Sequence, residues 1–316
     1  MKHAKERPTI QSFFHNLYIS YIPNRRDNKK QVILKLFFLI ALIVFIGSAV
    51  YLTNYFLTAK KQDSIIDESR KLWHSSSSSQ SAGTAAPSTS ITDLMLAENS
   101  DFKGWITVPN TKIDNPIYQT DNNDYYLTHN QKKQTSAYGA LFFDCENIIT
   151  EEETDKNLVI YGHHMKNGSM FANLTKYRNL DFYKQNPTLE FSSLYKSSTY
   201  KVFSVFVLNA SKEDDNGYIY NISRKNFLDD DDFNSWADEA YQRSLINTGV
   251  DVVNGDNIIT LVTCVYDFDD ARLVVMARET REGEAPTVDT SSASVNPSPR
   301  YPKRWYDDRG LDFPFD

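Results

Sequence analysis

The sequence of 316 residues holds only two cysteines, Cys145 and Cys264. A single pair does not make a disulfide framework, so the fold cannot be a small cross-linked scaffold. The two cysteines and six histidines do not fall at metal-ligand spacings, so no metal is expected. The 11 glycines form neither a phosphate-binding loop nor a dinucleotide fingerprint, so no nucleotide cofactor is expected, nor any other cofactor. No internal repeat is visible. Basic residues are scarce beyond the N-terminal arm: residues 32–316 hold 27 Lys or Arg against 39 Asp or Glu, a balance of −12. Such a surface does not invite nucleic acid.

What the chain does have is one long apolar run. Residues 36–52, LFFLIALIVFIGSAVYL, carry no charge, and widening the window to Val32 and Leu57 admits only Lys35. That length suits a membrane-spanning helix, which needs about 20 apolar residues. A signal peptide would lie nearer the N-terminus and end at a small-residue cleavage site. A core helix would show a polar face. An uncleaved single-pass anchor over 32–57 is therefore expected. The arm of residues 1–31 holds seven Lys or Arg and two acids, which assigns it to the cytoplasm and the rest to the outside.

Beyond the anchor, DSIIDESRKLW (63–73) reads as a short amphipathic helix, and SSSSSQSAGTAAPSTS (75–90) as a flexible linker, so 58–90 is assigned as an extracytoplasmic linker. From residue 91 the texture becomes globular. ITDLMLAENSDFKGWITV reads as a helix running into a strand. TKIDNPIYQ has strand character, with Pro116 confining it to a sheet edge. YGALFFD (138–144), NLVIYGH (157–163), TYKVFSVFVLN (199–209), NIITLVTC (257–264) and ARLVVMARE (271–279) are β-branched or aromatic runs bounded by turn residues. Their long intervals point to a barrel carrying inserted helices. One such helix is legible: Phe233, Trp236, Ala237, Ala240, Tyr241 and Leu245 share a helical face behind Asp229–Asp232, whose charges suit a helix N-terminus. After residue 280 the Pro- and Ser-rich composition reads as a disordered tail, 281–316.

Cysteine chemistry requires a thiolate, hence a base or positive charge nearby, and a donor for the oxyanion that forms. Cys264 closes the apolar strand TLVTC, an acidic loop VYDFDDA follows, and Arg272 opens the next strand. His3 and His15 lie in the cytoplasmic arm and His74 in the linker region, which leaves His129, His163 and His164. His163 stands where a strand gives way to a Gly-containing loop, a usual place for catalytic groups. Each residue alone has an ordinary structural reading: a histidine bonding a strand end, a buried thiol, an arginine in a surface ion pair. Spacing alone does not bring the three together.

TLVTC followed eight residues later by Arg272 resembles the TLxTC…R signature of sortases. YGHHMKNGSMF is similar to the histidine motif of class B sortases, and GWITVPNTKIDNPIYQTDNNDYYLTH and YGALFFD are similar to segments of the class B catalytic domain. The resemblance covers about residues 95–280, within a catalytic domain assigned as 91–280. It implies a mainly β, α+β fold: an eight-stranded barrel with inserted helices, preceded by one transmembrane helix. It implies a membrane-anchored cysteine transpeptidase of Gram-positive bacteria. Cys264 would attack a threonine carbonyl in a C-terminal sorting signal, of NPQTN-like or (S/N)PxTG-like type, and form a thioacyl enzyme. His163 would be the acid and base, and Arg272 the oxyanion or substrate-backbone donor. Tyr161, Thr263 and Val265 are further substrate-binding candidates, Val265 through its amide. The implied partners are secreted surface proteins or pilins bearing the signal, and an amine acceptor such as a peptidoglycan cross-bridge, lipid II or a pilin lysine. The rival readings are an exported cysteine hydrolase of the cell wall and a non-enzymatic anchored surface protein on a sortase-like fold. Cys145 is expected to be a small buried residue without a catalytic role.

Overall fold

The computed structural model describes residues 17–75, 89–211 and 217–315. Most of the basic arm, with His3 and His15, and most of the serine-rich linker therefore lie outside the described residues. The chain divides into two compact units, Met1–Lys61 and Gln62–Asp316.

Helix α1 (Lys29–His74) contains the whole apolar run and is long and apolar enough to cross a membrane. Its large apolar side chains, Phe37, Ile43 and Phe45 among them, are exposed. A helix tolerates that in lipid, because it satisfies its backbone polar groups internally.

The second unit carries the fold. Helices α2 (Thr89–Glu98), α3 (Tyr125–Thr128), α4 (Leu180–Gln185), α5 (Asp230–Arg243) and α6 (Lys303–Asp307), with a 3-10 helix at Phe171–Arg178, are set around strands β1 (Phe102–Thr107), β2 (Asp114–Tyr118), β3 (Leu141–Phe143), β4 (Asn157–Tyr161), β5 (Thr188–Ser193), β6 (Ser197–Asn209), β7 (Ile246–Asn247), β8 (Ile258–Cys264), β9 (Ala271–Glu279) and β10 (Ser294–Val295). Eight of the strands close a barrel in the order β1-β2-β3-β4-β8-β9-β6-β5, while β7 and β10 pair separately. This is the eight-stranded barrel with inserted helices that the sequence leads one to expect.

Strands β6, β8 and β9 are buried almost end to end rather than on alternate residues. The reason is that both faces are covered, one by the barrel interior and the other by added layers. Phe233, Trp236, Ala237 and Ala240 of α5 pack on Phe203, Phe206, Leu208, Val274 and Met276. The helix starts where the acidic run predicts, with the Asp229 side chain accepting from the Asp232 amide at 2.9 Å. On the far side Ile91 and Met95 of α2 join Trp73 over Phe102, Trp105, Tyr118 and Phe142.

Three expectations need correction. Residues 62–74 are not linker: Ile65, Ile66 and Trp73 are buried, and the Trp73 ring stacks on Trp105 at 5.0 Å. Strand β2 is not an edge strand, because it lies between β1 and β3. Pro116 is tolerated there because it faces Trp105 of β1, and the pairing with β3 starts only at Ile117. The segment after residue 280, expected to be disordered from its composition, is held by charge and backbone pairing. Glu284 binds Arg278 and Lys201, Arg281 binds Asp251 and Asp256, and β10 pairs with β7. Composition misleads here because most of these bonds, those to Lys201, Asp251, Asp256 and β7, join residues distant in sequence.

Candidate active site

Strand pairing, more than local sequence, assembles the site. Strand β8 lies between β4 and β9. Its last residue, Cys264, pairs with Arg272. The next amide, Val265 N–H, donates to the Ala271 carbonyl at 3.0 Å. That pattern makes Cys264 and Arg272 a non-hydrogen-bonded antiparallel pair, the kind whose Cα atoms approach to about 4.5 Å with side chains on one face. On the other side, the parallel register of β4 and β8 ends at Tyr161 and Val262. The Gly162 amide still donates to Val262 O at 3.1 Å, and the Thr263 hydroxyl donates to Gly162 O at 2.8 Å. Extended by two residues, the register sets His163 level with Cys264. All three residues are half-buried.

The histidine is held by groups that the sequence does not advertise. His163 Nε2 lies 2.8 Å from the Leu127 carbonyl. A carbonyl only accepts, so Nε2 carries the hydrogen, and Nδ1 is the nitrogen left for proton exchange. Gly139, at φ +58°, lies against the same ring: a Cβ there would fall 3.1 Å from His163 Cδ2 and 2.3 Å from Tyr126 O. Only glycine suits both that φ and that approach. Gly162 packs just as closely, since a Cβ would fall 2.4 Å from Leu141 Cδ2.

His164 does something different. Its Nδ1 lies 2.9 Å from the Cys264 carbonyl, and its ring lies 5.5 Å from that of Tyr266. It ties the loop after β4 to the end of β8. His129 stacks on Tyr125 at 4.2 Å. Arg272 donates to Ala271 O at 3.1 Å and stands 3.6 Å from Asp270. The loop between β8 and β9 is braced from outside by Arg178, which binds Asp267 at 3.0 and 2.6 Å.

A family model described as "Sortase domain" matches residues 106–280. The chain belongs to the sortase family. Sortase B of Listeria monocytogenes is 37% identical over 182 residues, 57% of this chain and 70% of that protein. Among solved structures, sortase B of B. anthracis superposes with a TM-score of 0.59 at 28% identity, covering 71% of this chain and 98% of that one. A Staphylococcus aureus sortase B–substrate complex superposes at 0.62 with 25% identity, covering 72% and 100%. These relatives place the chain in class B. It is a sortase, a member of a cysteine transpeptidase family, and its N-terminal helix fits membrane anchoring. The reading as an unrelated cell-wall hydrolase gives way to the family.

The minor site candidates fare less well. Thr263 is buried, with its hydroxyl spent on Gly162 O, so it offers a substrate no surface. Val265 is buried, and its amide donates to Ala271 O at 3.0 Å. Tyr161 is half-buried, with its hydroxyl donating to Asp144 Oδ2 at 2.9 Å. Burial and the Asp144 charge push its pKa up, so it remains a donor. What it can offer a substrate is its ring.

Both cysteines are free thiols, so Cys264 is not consumed in a bridge. Cys145 is half-buried rather than fully buried. Burial, then the charges of Asp144 and Glu146, push its thiol pKa up, which makes it a poor nucleophile. Among the described residues no group of three or more His, Cys, Asp or Glu could hold a metal ion.

Proposed function

We propose that Cys264, His163 and Arg272 form the catalytic group, and that the enzyme cleaves a C-terminal sorting signal after threonine and transfers the protein to an amine. The observation that carries the reading is the register of three adjacent strands, which sets the three residues at one end of the barrel.

The Cys264 thiolate attacks the threonine carbonyl carbon. The carbonyl oxygen becomes an oxyanion, and Arg272 donates to it. The planar guanidinium has N–H groups beyond those used by Ala271 O and Asp270, whereas the Val265 amide is engaged with Ala271 O and has to leave it to donate. The intermediate collapses, the C–N bond breaks, and protonated His163 gives its Nδ1 proton to the leaving amine. A thioester remains on Cys264. An incoming amine attacks it, neutral His163 takes the amine's proton, and the thiolate leaves. His163 thus acts as acid and then as base. Throughout, Leu127 O holds Nε2–H, so the exchanging nitrogen stays Nδ1.

The substrates in this reading are secreted surface proteins or pilins, the signal being of NPQTN-like or (S/N)PxTG-like type. The acceptor is a peptidoglycan cross-bridge, lipid II or a pilin lysine. The basic arm faces the cytoplasm and residues after about 57 lie outside, in a single-pass topology.

Intact mass spectrometry of the full chain in detergent, with an NPQTN-like peptide, tests the chemistry. The expected result is an adduct of the peptide's N-terminal part ending in threonine, absent from Cys264→Ala. The absence of an adduct with every signal type, while a thiol reagent still labels Cys264, overturns the reading.

A further inference from the structure

The imidazole of His163 rests on the two feet of one hairpin. Leu127 O accepts from its Nε2, and Gly139 lies against its Cδ2. The feet are joined by a backbone ladder: Ala140 N–H donates to Tyr126 O at 2.9 Å, Ser136 to Thr128 O at 2.8 Å and Asn130 to Gln134 O at 2.9 Å, with His129 bridged to Thr135. A short two-armed hairpin is marginal in water without outside support.

That support includes a buried glutamine on α1. Gln62 is 2% exposed and bonds both arms. On the first arm its Nε2 donates to Gln131 Oε1 at 3.0 Å, and its Oε1 accepts from Asn130 Nδ2 at 3.4 Å. On the second arm the same oxygen accepts from Ser136 Oγ at 3.4 Å. The first arm is also pinned below: Asn99 Nδ2 donates to Gln131 O and to the Tyr126 hydroxyl, both at 2.8 Å, and that hydroxyl donates to Asp101. One amide oxygen, shared by Asn130 and Ser136, thus ties the second arm to the pinned first arm. A buried amide in such a place is costly unless satisfied, and its loss strands the partners it held.

We propose that Gln62 is a positioning residue for His163: by tying the two arms of the hairpin it sets the separation of Leu127 and Gly139, and so the place of the imidazole. The proposal rests on the reading of His163 as the acid and base. A misplacement of about 1 Å at a reacting group can cost on the order of a hundredfold in rate, so a loosened hairpin reads out in turnover and not in peptide binding.

The test uses the full chain in detergent, with Gln62→Leu, Gln62→Glu and Gly139→Ala, and circular dichroism to confirm the fold. Gln62→Leu keeps the volume and removes the side-chain tie between the arms, leaving only the backbone ladder. It should lower kcat about tenfold with KM within about twofold, and histidine-selective 15N spectra of the neutral ring should lose the pure Nε2–H tautomer of His163. Gln62→Glu keeps the oxygen that Asn130 and Ser136 share, loses the donor to Gln131 Oε1 unless the Gln131 amide turns its NH2 inward, and should restore both readouts in part. Gly139→Ala should reproduce the Gln62→Leu result by pressing on the ring directly. Unchanged kcat and tautomer in folded Gln62→Leu, or a folded Gln62→Glu as impaired as Gln62→Leu, overturns the proposal. If Gln62→Leu does not fold, Ser136→Ala releases the second arm, with loss also of the Tyr138 N–H bond to the same hydroxyl, and unchanged kcat and tautomer there overturn the proposal. If the wild type forms no acyl adduct, the fault lies with the proposed function, and the tautomer spectra still decide the role of Gln62.

Discussion

Cys264 and Arg272 face each other across neighbouring strands as a non-hydrogen-bonded pair, fixed by the Val265 amide on the Ala271 carbonyl. The bond has two consequences. It brings thiol and guanidinium to one face, and it uses up the amide that follows Cys264. A backbone donor at that position is engaged before substrate arrives, so more of the task falls on Arg272.

Arg272→Lys should therefore be severe. Lysine keeps the charge but offers a compact ammonium with rotating donors where the guanidinium offers a planar fork. A loss of one oxyanion donor typically costs about a hundred- to a thousandfold in kcat. Steady-state kinetics with a signal peptide measure it. A loss below about tenfold would mean that charge alone suffices and that the arginine fixes substrate in some other way.

The adjacent histidines separate cleanly. His163→Ala removes the group assigned to proton transfer and should reduce acylation by about a hundred- to ten-thousandfold. His164→Ala removes one bond to the Cys264 carbonyl and should cost about 1 kcal/mol of stability, with activity falling severalfold at most. Thermal unfolding and acyl-adduct formation, measured on both variants, read the two effects apart. The reverse ranking would transfer the catalytic role to His164.

The barrel and the candidate nucleophile were readable because their signals are local. β9 runs over the same residues as the apolar run ARLVVMARE, and α5 begins at the capping aspartate that its acidic run marks. Cys264 and Arg272 stand at the ends of such runs, so their strands could be named before their pairing was known. The groups that hold His163 left no such trace. Leu127 acts through a carbonyl that any residue would supply, and Gln62 acts from 101 positions away by its place in the fold. Gly139 sits inside the motif YGALFFD, yet nothing in the motif says which ring its missing Cβ makes room for. The tail failed for the opposite reason: its composition is that of a disordered segment, while its order comes from a few charged contacts to distant residues.

Those contacts make the tail's attachment pH-dependent. The hydrogen bond from Arg278, with help from Lys201, holds the Glu284 carboxyl well below its ordinary value of 4.5. A depressed folded-state pKa means that the unfolded chain takes up the proton first. The contribution to stability is then complete above about pH 4.5 and is lost progressively as the pH falls toward the folded value. Arg278 is 2% exposed on its side chain, so removing its partner leaves a buried charge with less compensation. Glu284→Gln should destabilise the second unit by roughly 1–3 kcal/mol at pH 7. The gap to wild type should narrow steadily below pH 4.5, because the unfolded wild-type chain there takes up a proton that the folded carboxyl refuses, and the variant has no such group. Urea unfolding followed by tryptophan fluorescence between pH 7 and pH 3 measures the gap. A gap that stays constant over that range would show that Glu284 stabilises the tail by packing and not by charge.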